Sequence, residues 1–563
     1  MSNSNYVNPI FSFENPDSEL GFDIPDFSLF EMLKFKKDSH PDALAYEYMG
    51  ISVTFSEFVE KIIEASYAYS SLGVKKGDIV TILMPNTPEA VIGIYALNRI
   101  GAVCDILHPL LAPNEIKDFL NASRSKYLLT VDLFADKVKE IYHKTSLKKV
   151  IVTSPVESLS VVMKVGYKLT DKNKNKKYLE DKQFIKYSKF MKNKLTTAEY
   201  DWKDVNNSTV SIILHSGGTT GTPKSIMLSN KNFNAFAVQS VLTLRDVSVG
   251  DKMLAILPIF HGFGLGVCIH VAFCFGASTV LIPSFNSKKF GDILKKYKPS
   301  MLFGVPTLYE ALISNKDVDK LDLSFLKYAI SGGDTLPKTL ENKVNKFLAS
   351  HNSKIKISEG YGMTEGLAAL SLSVNEGYKS GTIGRPLIGN KICVVEPGTI
   401  EHLPCNTDGE LCICGPTVML GYRNNEEETN STLRVHADGN LWLHTGDIVS
   451  IDEENFITYK SRIKRLIISS GYNIYPNYVE KVVEEHPDVK QCVLVSMPHP
   501  YKKAVGKAYI LPEDGVEPSD ELVESIKGYC KENLAHFCVP YKFEFVTSIP
   551  KTAYNKVDYK QFK

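Results

Sequence analysis

The sequence predicts an α/β protein with a large N-terminal domain of βα-layered sheets plus a barrel-like subdomain, followed by a small, mobile C-terminal α+β domain. Apolar strands alternate with helical runs over much of the N-terminal part, and shorter strands and turns follow from about residue 380. A chain of 563 residues is too long for one compact core. We therefore expect two domains, over residues 1–461 and 462–563.

The N-terminal part contains apolar runs that are typical of buried strands. One helical run, PEAVIGIYALNRIG at 88–101, lies between two of them. Such alternation favours largely parallel sheets that are covered by helices. The predicted strands lie within residues 78–85, 126–132, 208–216, 251–260 and 278–283.

Residues 263–282 carry no formal charge and approach the length of a membrane span. Gly264, Gly266, His270 and Gly276 interrupt this apolar run. We interpret it as a buried helix, a turn at Gly276 and a β-branched strand rather than as a membrane helix.

From about residue 380 the N-terminal domain continues with the short segments KICVVEPG, DGELCICGP, GNLWLHTGD and ENFITYKS. These segments indicate an antiparallel or barrel-like subdomain. From Arg462 onwards the pattern reads strand, helix, strand, strand and helix, over about 100 residues. The boundary at 461–465 is therefore a candidate hinge.

The composition excludes some classes of function. The formal net charge is +1, so no overall field favours a nucleic-acid partner. No secretory signal is visible, and ten scattered cysteines are typical of buried, reduced thiols. We expect a cytoplasmic protein.

Residues 164–194 form a basic insertion with 11 lysines against three acidic residues. Phe184, Tyr187, Phe190 and Met191 recur in it at helical spacing. A basic amphipathic helix of this kind can lie on an anionic membrane, which would give peripheral membrane contact. The alternative is a solvated, lysine-rich insertion that packs a few aromatic side chains onto the body of the protein.

The segment HSGGTTGTPKSIMLSN, at 215–230, joins two apolar strands through a loop of small and polar residues. Its glycines permit backbone conformations that direct successive N–H groups at one point, and its hydroxyls and lysine add donors and charge. These features suit a polyphosphate, although the spacing is not that of a Walker P-loop. The candidate binding residues are Ser216, Gly217, Gly218, Thr219, Thr220, Gly221 and Lys224.

Two further clusters carry residues suited to a nucleotide. In GYGMTE, at 360–365, Tyr361 can lie against a purine, while Thr364 and Glu365 offer a hydroxyl and a carboxylate for Mg²⁺. In WLHTGD, at 442–447, Asp447 can accept hydrogen bonds from ribose hydroxyls. Each motif alone is more often only a turn.

Taken in order, these motifs resemble the adenylate-forming superfamily, which includes acyl-CoA synthetases, luciferases and the adenylation domains of peptide synthetases. The resemblance covers most of the chain from about residue 30. It rests also on later and supporting segments, namely SRIK (461–464), PKT (550–552) with Lys556, LPIFH (257–261), SGGD (331–334), GTIGRP (381–386), DGELCICGPTVMLGY (408–422) and SGYNIYPNYVE (470–480).

The resemblance implies ATP-dependent activation of a carboxylic acid as an acyl-adenylate, followed by displacement of AMP by a thiol. It implies ATP, Mg²⁺ and coenzyme A as the cofactor and substrates. The implied roles are phosphate binding by the 216–224 loop and Thr364, Mg²⁺ binding by Glu365, adenine binding by Gly333, Asp334 and Tyr361, ribose binding by Asp447 and Arg462, catalysis by Lys556, acyl or thiol contact by His261, and a hinge at Lys464.

The chain departs from the family pattern at three positions. Asn555 stands where glycine usually precedes the final lysine, and asparagine tolerates left-handed backbone conformations better than most residues. Ser225 and Ser461 also replace usual glycines. These changes put fine geometry in doubt rather than the activity.

The form of the 216–221 loop resembles that of fatty acyl-CoA synthetases. Peptide-synthetase domains typically place an aspartate after the LPxFH-type strand to bind the amino group of their substrate. Between Phe260 and Phe303 the only acidic residue here is Asp292, within a lysine-rich helix, so the comparison with that family disfavours an α-amino acid substrate. We expect glycines 262, 264 and 266 to leave room for the alkyl chain of a medium- or long-chain fatty acid. Two alternatives stay open: an acyl-AMP ligase that loads an acyl carrier protein, and a non-catalytic nucleotide or acyl sensor.

Overall fold

The computed structural model describes residues 12–154, 157–158, 177–192, 205–216, 224–470, 472–551 and 557–562. These residues form four β-sheets with helices packed around them. The α-helices are Leu29–Ser39, Phe55–Ser71, Pro88–Ile100, Pro113–Ser123, Asp132–Ile141, Tyr187–Lys192, Asn230–Thr243, Ala272–Phe275, Phe290–Tyr297, Pro306–Ser314, Lys338–Ser350, Glu426–Thr432, Pro476–Glu484 and Asp520–Asn533.

The first sheet has eight described strands, and its centre is parallel. The strands that flank the predicted phosphate loop, Val210–His215 and Ser225–Ser229, pair antiparallel near one edge. In spatial order the strands are Gly421–Tyr422, Ser225–Ser229, Val210–His215, Val103–Ile106, Ile79–Leu83, Tyr127–Val131, Lys149–Thr153 and Phe184–Lys186.

The second sheet has nine described strands, of which the central six are parallel. The first and second sheets pack around the largest apolar core, in which helix Pro88–Ile100 is buried along nearly its whole length. In spatial order the strands are Arg385–Pro386, Ala369–Leu372, Ile357–Gly362, Tyr328–Gly332, Met301–Gly304, Lys252–Ala255, Ser278–Leu281, Leu44–Tyr48 and Ile51–Thr54.

The third sheet is antiparallel and has five described strands. It corresponds to the predicted barrel-like subdomain, but the described strands remain an open sheet and form no closed barrel, which corrects that part of the prediction. Its strands are Lys391–Val395, Gly409–Cys414, Leu433–Val435, Leu441–Ile451 and Ile457–Arg462.

The C-terminal sheet has a separate core and is covered by helices Pro476–Glu484 and Asp520–Asn533. This arrangement confirms a small α+β unit that follows a large N-terminal part. The sequence analysis missed its second and last strands, which are short. The described strands are Ile467–Ser469, Tyr472–Ile474, Val489–His499, Lys503–Pro512 and Lys542–Phe545.

The apolar run at 263–282 folds as the sequence predicts. A buried π-helix, Phe263–Val271, continues into Ala272–Phe275, Gly276 turns with a φ of +74°, and the strand Ser278–Leu281 follows. Among the residues described, none of the helices combines the length and the apolar character that a bilayer crossing requires.

The described part of the basic insertion, residues 177–192, differs from the predicted amphipathic helix. Phe184 lies on an edge strand of the first sheet, and only Tyr187–Lys192 is helical. Phe184 and Phe190 are buried, and the Phe190 ring contacts Tyr69 with centroids 4.8 Å apart. These aromatic side chains therefore pack onto the body of the protein, as the alternative interpretation holds; the remainder of 164–194 lies outside the described residues.

Candidate active site

A cavity of about 800 Å³ lies at the carboxyl edge of the parallel strands in the second sheet. Adjacent parallel strands end there at Gly332 and Gly362, and carboxyl edges are where such sheets bind ligands. The cavity is also lined by the C-terminal helix Pro476–Glu484 and by residues near the end of the chain. It brings together five of the predicted site residues, namely His261, Gly333, Asp334, Tyr361 and Thr364.

Asp447 connects this cavity to the third sheet. The Tyr361 hydroxyl donates to Asp447 Oδ2 at 2.7 Å, and Arg462 Nε lies 3.1 Å from Asp447 Oδ1. Asp447 and Arg462 are register partners on adjacent strands, so strand pairing itself sets the ion pair. Three residues that the sequence analysis assigned to adenine and ribose thus form one cluster.

The electrostatics of this cluster follow from burial. Asp447 is only 1% exposed, and its charge raises the pKa of Arg462 above the usual range. Burial, reinforced by Asp447, raises the pKa of Tyr361. Tyr361 therefore stays a neutral donor and Arg462 a cation throughout the physiological range.

Glu365 is a buried carboxylate beside Thr364. The Tyr422 hydroxyl donates to Glu365 Oε1 at 2.9 Å, and Lys224 Nζ lies 4.7 Å from the centroid of the Tyr422 ring. Tyr422 is held there because Gly421–Tyr422 pairs with the strand that begins just after Lys224. Through Tyr422, the end of the predicted phosphate loop is joined to the GYGMTE motif.

The two described ends of the phosphate loop are paired. Ser216 N donates to the Lys224 carbonyl at 3.1 Å, and Lys224 also forms an ion pair with Glu428. The loop residues Gly217, Gly218, Thr219, Thr220 and Gly221 lie outside the described residues, so their roles stay predictions.

Ser225, one of the three departures, has a definite contact. Its hydroxyl lies 3.3 Å from His215 Nδ1, and His215 Nε2 lies 2.6 Å from the buried Asp105 carboxylate. A glycine at position 225 could not make this contact. Ser225 therefore fixes the strand that leaves the loop to the centre of the first sheet.

His261 lines the cavity next to two other rings, those of Phe260 and His108. Its ring centroid is 4.9 Å from that of Phe260, which in turn lies 4.2 Å from the centroid of His108. Several apolar side chains, together with Ser240, line another part of the cavity, which makes that part suited to a hydrocarbon group. The apolar side chains include Phe236, Leu244, Val267, Val271, Phe303 and Leu372.

The glycines at 262 and 264 do not leave room for an alkyl chain, which corrects the expectation from sequence. A Cβ at Gly262 would lie 1.6 Å from the Leu367 carbonyl oxygen, and one at Gly264 would lie 2.0 Å from that of Pro258. Both glycines serve close backbone packing. The apolar surface of the cavity comes instead from side chains such as Phe236, Val267 and Val271.

Two partly buried carboxylates, Glu359 and Glu484, lie beside or in the polar lining of the cavity. Burial raises the pKa of Glu359 to about 7 and that of Glu484 to about 8. Glu359 accepts from Leu336 N at 3.1 Å, and Glu484 accepts from Cys492 N at 2.9 Å. Asp292, the acidic residue considered above for an amino-acid substrate, is exposed on its helix. It is not among the described residues that line the cavity.

The chain between the third and C-terminal sheets is anchored on both sides of Lys464. Arg462 is bound to Asp447, whereas Arg465 is bound to Glu480 of the C-terminal helix, with Nη2 and Oε1 2.5 Å apart. Arg465 Nη1 also donates to Tyr559 at 3.0 Å. Only Ile463 and Lys464 separate the two anchors, and Lys464 is exposed.

Lys556 lies outside the described residues. Lys551 and Val557, on either side of its segment, form an isolated antiparallel bridge, and both line the cavity. The sequence analysis missed Tyr422 and Glu428 as neighbours of the phosphate loop and Glu480 as an anchor. Tyr422 ends a segment quoted above for the family pattern, but its role depends on strand pairing that sequence spacing does not reveal.

Comparisons with known proteins agree with this geometry. The model of the AMP-binding enzyme family matches residues 34–423, and that of the AMP-binding enzyme C-terminal domain matches residues 478–556. The first match covers more than half of the chain.

Curated relatives cover the full length. The long-chain-fatty-acid–CoA ligase of Bacillus subtilis is 29% identical over 95% of this chain and 94% of its own length. That of Salmonella typhimurium is 30% identical over 94% and 93%. The crystal structure of the anthranilate CoA ligase AuaEII with anthranoyl-AMP shares the fold, with a TM-score of 0.82 and 22% identity over 97% of this chain and 98% of that one. The chain therefore belongs to the AMP-binding enzyme family of the adenylate-forming superfamily and is similar to fatty acyl-CoA ligases.

Proposed function

We propose that this protein is an ATP-dependent acid–thiol ligase that converts a medium- or long-chain fatty acid to acyl-AMP and then to acyl-CoA. The observation that carries the proposal is that one cavity is lined both by polar and by apolar residues. Its polar lining includes Tyr361, which contacts Asp447. A nucleotide and a hydrocarbon chain could bind there end to end. The fatty-acid names of the full-length relatives support the same class of substrate.

The polar end is suited to a nucleoside. Gly333 has a φ of +80°, which leaves the backbone close to the cavity, and the Tyr361 ring lies on the neighbouring strand. Asp447 can accept from ribose hydroxyls because a carboxylate has four lone-pair sites. Arg462 then places a positive charge beside the Asp447 carboxylate. We assign Gly333, Asp334 and Tyr361 to adenine and Asp447 and Arg462 to ribose.

The carboxylate of the acid attacks the α-phosphorus, the bond to pyrophosphate breaks, and an acyl-AMP mixed anhydride forms. Negative charge accumulates on the phosphoryl oxygens, so fixed donors and cations should accelerate this step. We assign the β- and γ-phosphates to the 216–224 loop with Lys224, and the α-phosphate to the Thr364 hydroxyl. Lys556 immediately precedes the cavity-lining Val557, which supports its contact with the reacting groups.

Glu365 suits Mg²⁺. Its carboxylate is buried and receives one hydrogen bond from Tyr422, which leaves lone pairs available on a hard oxygen ligand. Mg²⁺ commonly binds through one or two carboxylates together with substrate phosphates. When bound there, Mg²⁺ would neutralise phosphate charge beside Thr364.

The second half-reaction requires a thiol to attack the acyl carbonyl, with AMP as the leaving group. We propose that coenzyme A supplies the thiol and that the C-terminal domain rotates about Lys464 between the two half-reactions. The two anchors at Arg462 and Arg465 support this, because rotation between them would be absorbed by very few backbone dihedral angles. His261, which lines the cavity, would contact the acyl group.

Two alternatives lead to different products. An acyl-AMP ligase would transfer its acyl group to a carrier protein and would form no thioester with coenzyme A. A sensor would bind ATP or an acid without turnover. The cluster of Tyr361, Asp447 and Arg462, together with the separate Glu365 carboxylate, favours an enzyme over a sensor.

Membrane contact through 164–194 is a separate proposal. Because Phe184 and Phe190 are buried, attraction by the described residues 177–192 would rest mainly on their exposed lysines. Each lysine near an anionic surface contributes about 1 kcal/mol, and salt weakens the attraction.

A substrate panel tests the ligase. Straight-chain acids from acetate to stearate, benzoate and alanine are each offered with ATP and Mg²⁺, with and without coenzyme A, and pyrophosphate exchange and AMP release are measured. We expect both signals to be strongest for medium- or long-chain acids, with AMP release dependent on coenzyme A. Exchange without any thioester would favour the carrier-protein ligase. Absence of exchange, or a preference for alanine, would contradict the proposal.

Separate assays of the half-reactions test Lys556 and Lys464. Lys556→Ala should slow adenylation about 100- to 1,000-fold, which is typical of one lost charge-stabilising donor, yet should convert synthetic acyl-AMP to acyl-CoA normally. Lys464→Pro should keep adenylation and lose thioester formation, because proline fixes φ at the hinge.

Matched controls separate these effects from general damage. Lys560→Ala removes an exposed lysine from the same terminal segment, and Lys464→Ala removes the hinge side chain but leaves φ free. Both controls should retain both half-reactions. If folded Lys556→Ala and folded Lys464→Pro each lose both half-reactions equally, the proposed rotation of the C-terminal domain about Lys464 between the half-reactions is wrong.

Sedimentation with phosphatidylserine vesicles tests membrane contact. Replacing the exposed lysines 182, 186, 189 and 192 by glutamine should reduce binding at least about 10-fold, since four attractive charges are lost. The matched control replaces lysines 288, 289, 295 and 298, which are also exposed. Equal binding of the two quadruple variants would reject a role for this segment.

A further inference from the structure

The third sheet carries a cluster of cysteine and histidine side chains that the proposed reaction does not use. Cys412 and His444 are register partners on adjacent strands, and His436 approaches them from the end of Leu433–Val435. One ligand atom from each of these three residues lies within 4.8 Å of the other two, and all three residues are buried. Cys393, His402 and His436 form a second group whose ligand atoms also lie within 4.8 Å of one another, and His402 faces the Nδ1 atom of His436.

Hydrogen bonds fix the orientation of the imidazole rings. Glu410 accepts from Gly446 N at 3.0 Å, and its other oxygen lies 3.1 Å from His444 Nδ1. A carboxylate can only accept, so His444 Nδ1 must donate, which leaves a lone pair on Nε2. That lone pair points at His436 Nε2, 3.0 Å away.

The arrangement of Glu410 and His444 is one that metal sites commonly use. A histidine ligand usually donates its other N–H to a carboxylate, which orients the ring and makes it a stronger ligand. Two nitrogens on one tetrahedral zinc ion lie about 3.3 Å apart, close to the separation between His436 and His444. An ion bound to both nitrogens would lie off the line that joins them, so each ring must rotate for its lone pair to face the ion.

We propose that Cys412 Sγ, His436 Nε2 and His444 Nε2 form a binding site for a divalent transition metal ion of the zinc class. One thiolate and two imidazoles are borderline-soft donors, which favour zinc over Mg²⁺ or Ca²⁺. On binding, the Cys412 thiol releases its proton to solvent. The proton of His436 moves from Nε2 to Nδ1 and is donated to His402 Nε2, 2.9 Å away, while His402 shifts its own ring proton from Nε2 to Nδ1.

This site is distinct from the proposed Mg²⁺ position at Glu365. The two sites differ in their donor atoms, because the first includes the Cys412 thiolate whereas Glu365 offers oxygen ligands. The inference does not depend on the proposed ligase activity.

Cobalt substitution tests the site in the full-length, reduced, chelator-treated protein. One equivalent of Co²⁺ should produce a thiolate-to-cobalt charge-transfer band together with the intense visible bands of tetrahedral Co²⁺, and Zn²⁺ should displace it. In a Trp202→Phe variant, Co²⁺ should also quench Trp442, whose ring stacks on His436 with centroids 5.2 Å apart.

Variants assign the ligands. Cys412→Ser should lose the charge-transfer band. Both Cys412→Ser and His436→Gln should weaken Co²⁺ binding at least about 100-fold, because even the loss of a residue that only orients a ligand can cost up to that much. Cys405→Ser, which removes an exposed thiol, and Glu365→Gln should keep the band. Circular dichroism checks that each variant is folded. A wild-type protein without the band, or a band that persists in folded Cys412→Ser, would overturn the proposal.

Discussion

Asp447 holds its negative charge almost completely out of water, with Arg462 Nε at 3.1 Å and the Tyr361 hydroxyl at 2.7 Å as compensating partners. A buried carboxylate without such partners would be strongly unfavourable. The cluster ties the second sheet to the third, because Tyr361 belongs to one and Asp447 to the other. It also fixes the residue from which the linker to the C-terminal sheet departs. The polar end of the cavity and the start of the hinge therefore depend on one charge.

The rest of the site extends from this cluster in two directions. Towards the first sheet, Glu365, Tyr422 and Lys224 form a continuous series of polar contacts that ends at the predicted phosphate loop. In the other direction, the cavity is lined by apolar side chains such as Phe236, Val267 and Val271, together with Ser240. This separation of polar and apolar surfaces is what a ligase for amphiphilic acids requires. Under the proposed function, the carboxylate of a fatty acid would lie near the junction, where the phosphates would also lie.

Local patterns predicted the strands of the layered sheets, the helix at 88–101 and the turn at Gly276, because each depends on periodicity or on one backbone conformation. Asp447, Tyr361 and Arg462 were also predicted as site residues, through the order of their motifs. Contacts set by strand pairing could not be predicted. Tyr422 reaches Glu365 only because its strand pairs beside Ser225, Phe184 lies on a sheet edge rather than on a helix, and the cysteines and histidines of the third sheet meet from distant positions. The packing role of Gly262 likewise depends on a remote carbonyl group.

The central claim is that Asp447 binds the ribose of ATP, and the affinity of Asp447→Asn for ATP tests it most directly. Hydrogen bonds to a charged group contribute about 1.5–3 kcal/mol, so isothermal titration should show about 10- to 150-fold weaker binding than wild type. Glu454→Gln, which neutralises an exposed carboxylate on the turn after the same strand, should bind ATP as the wild type does. Unchanged ATP affinity in folded Asp447→Asn would contradict the account.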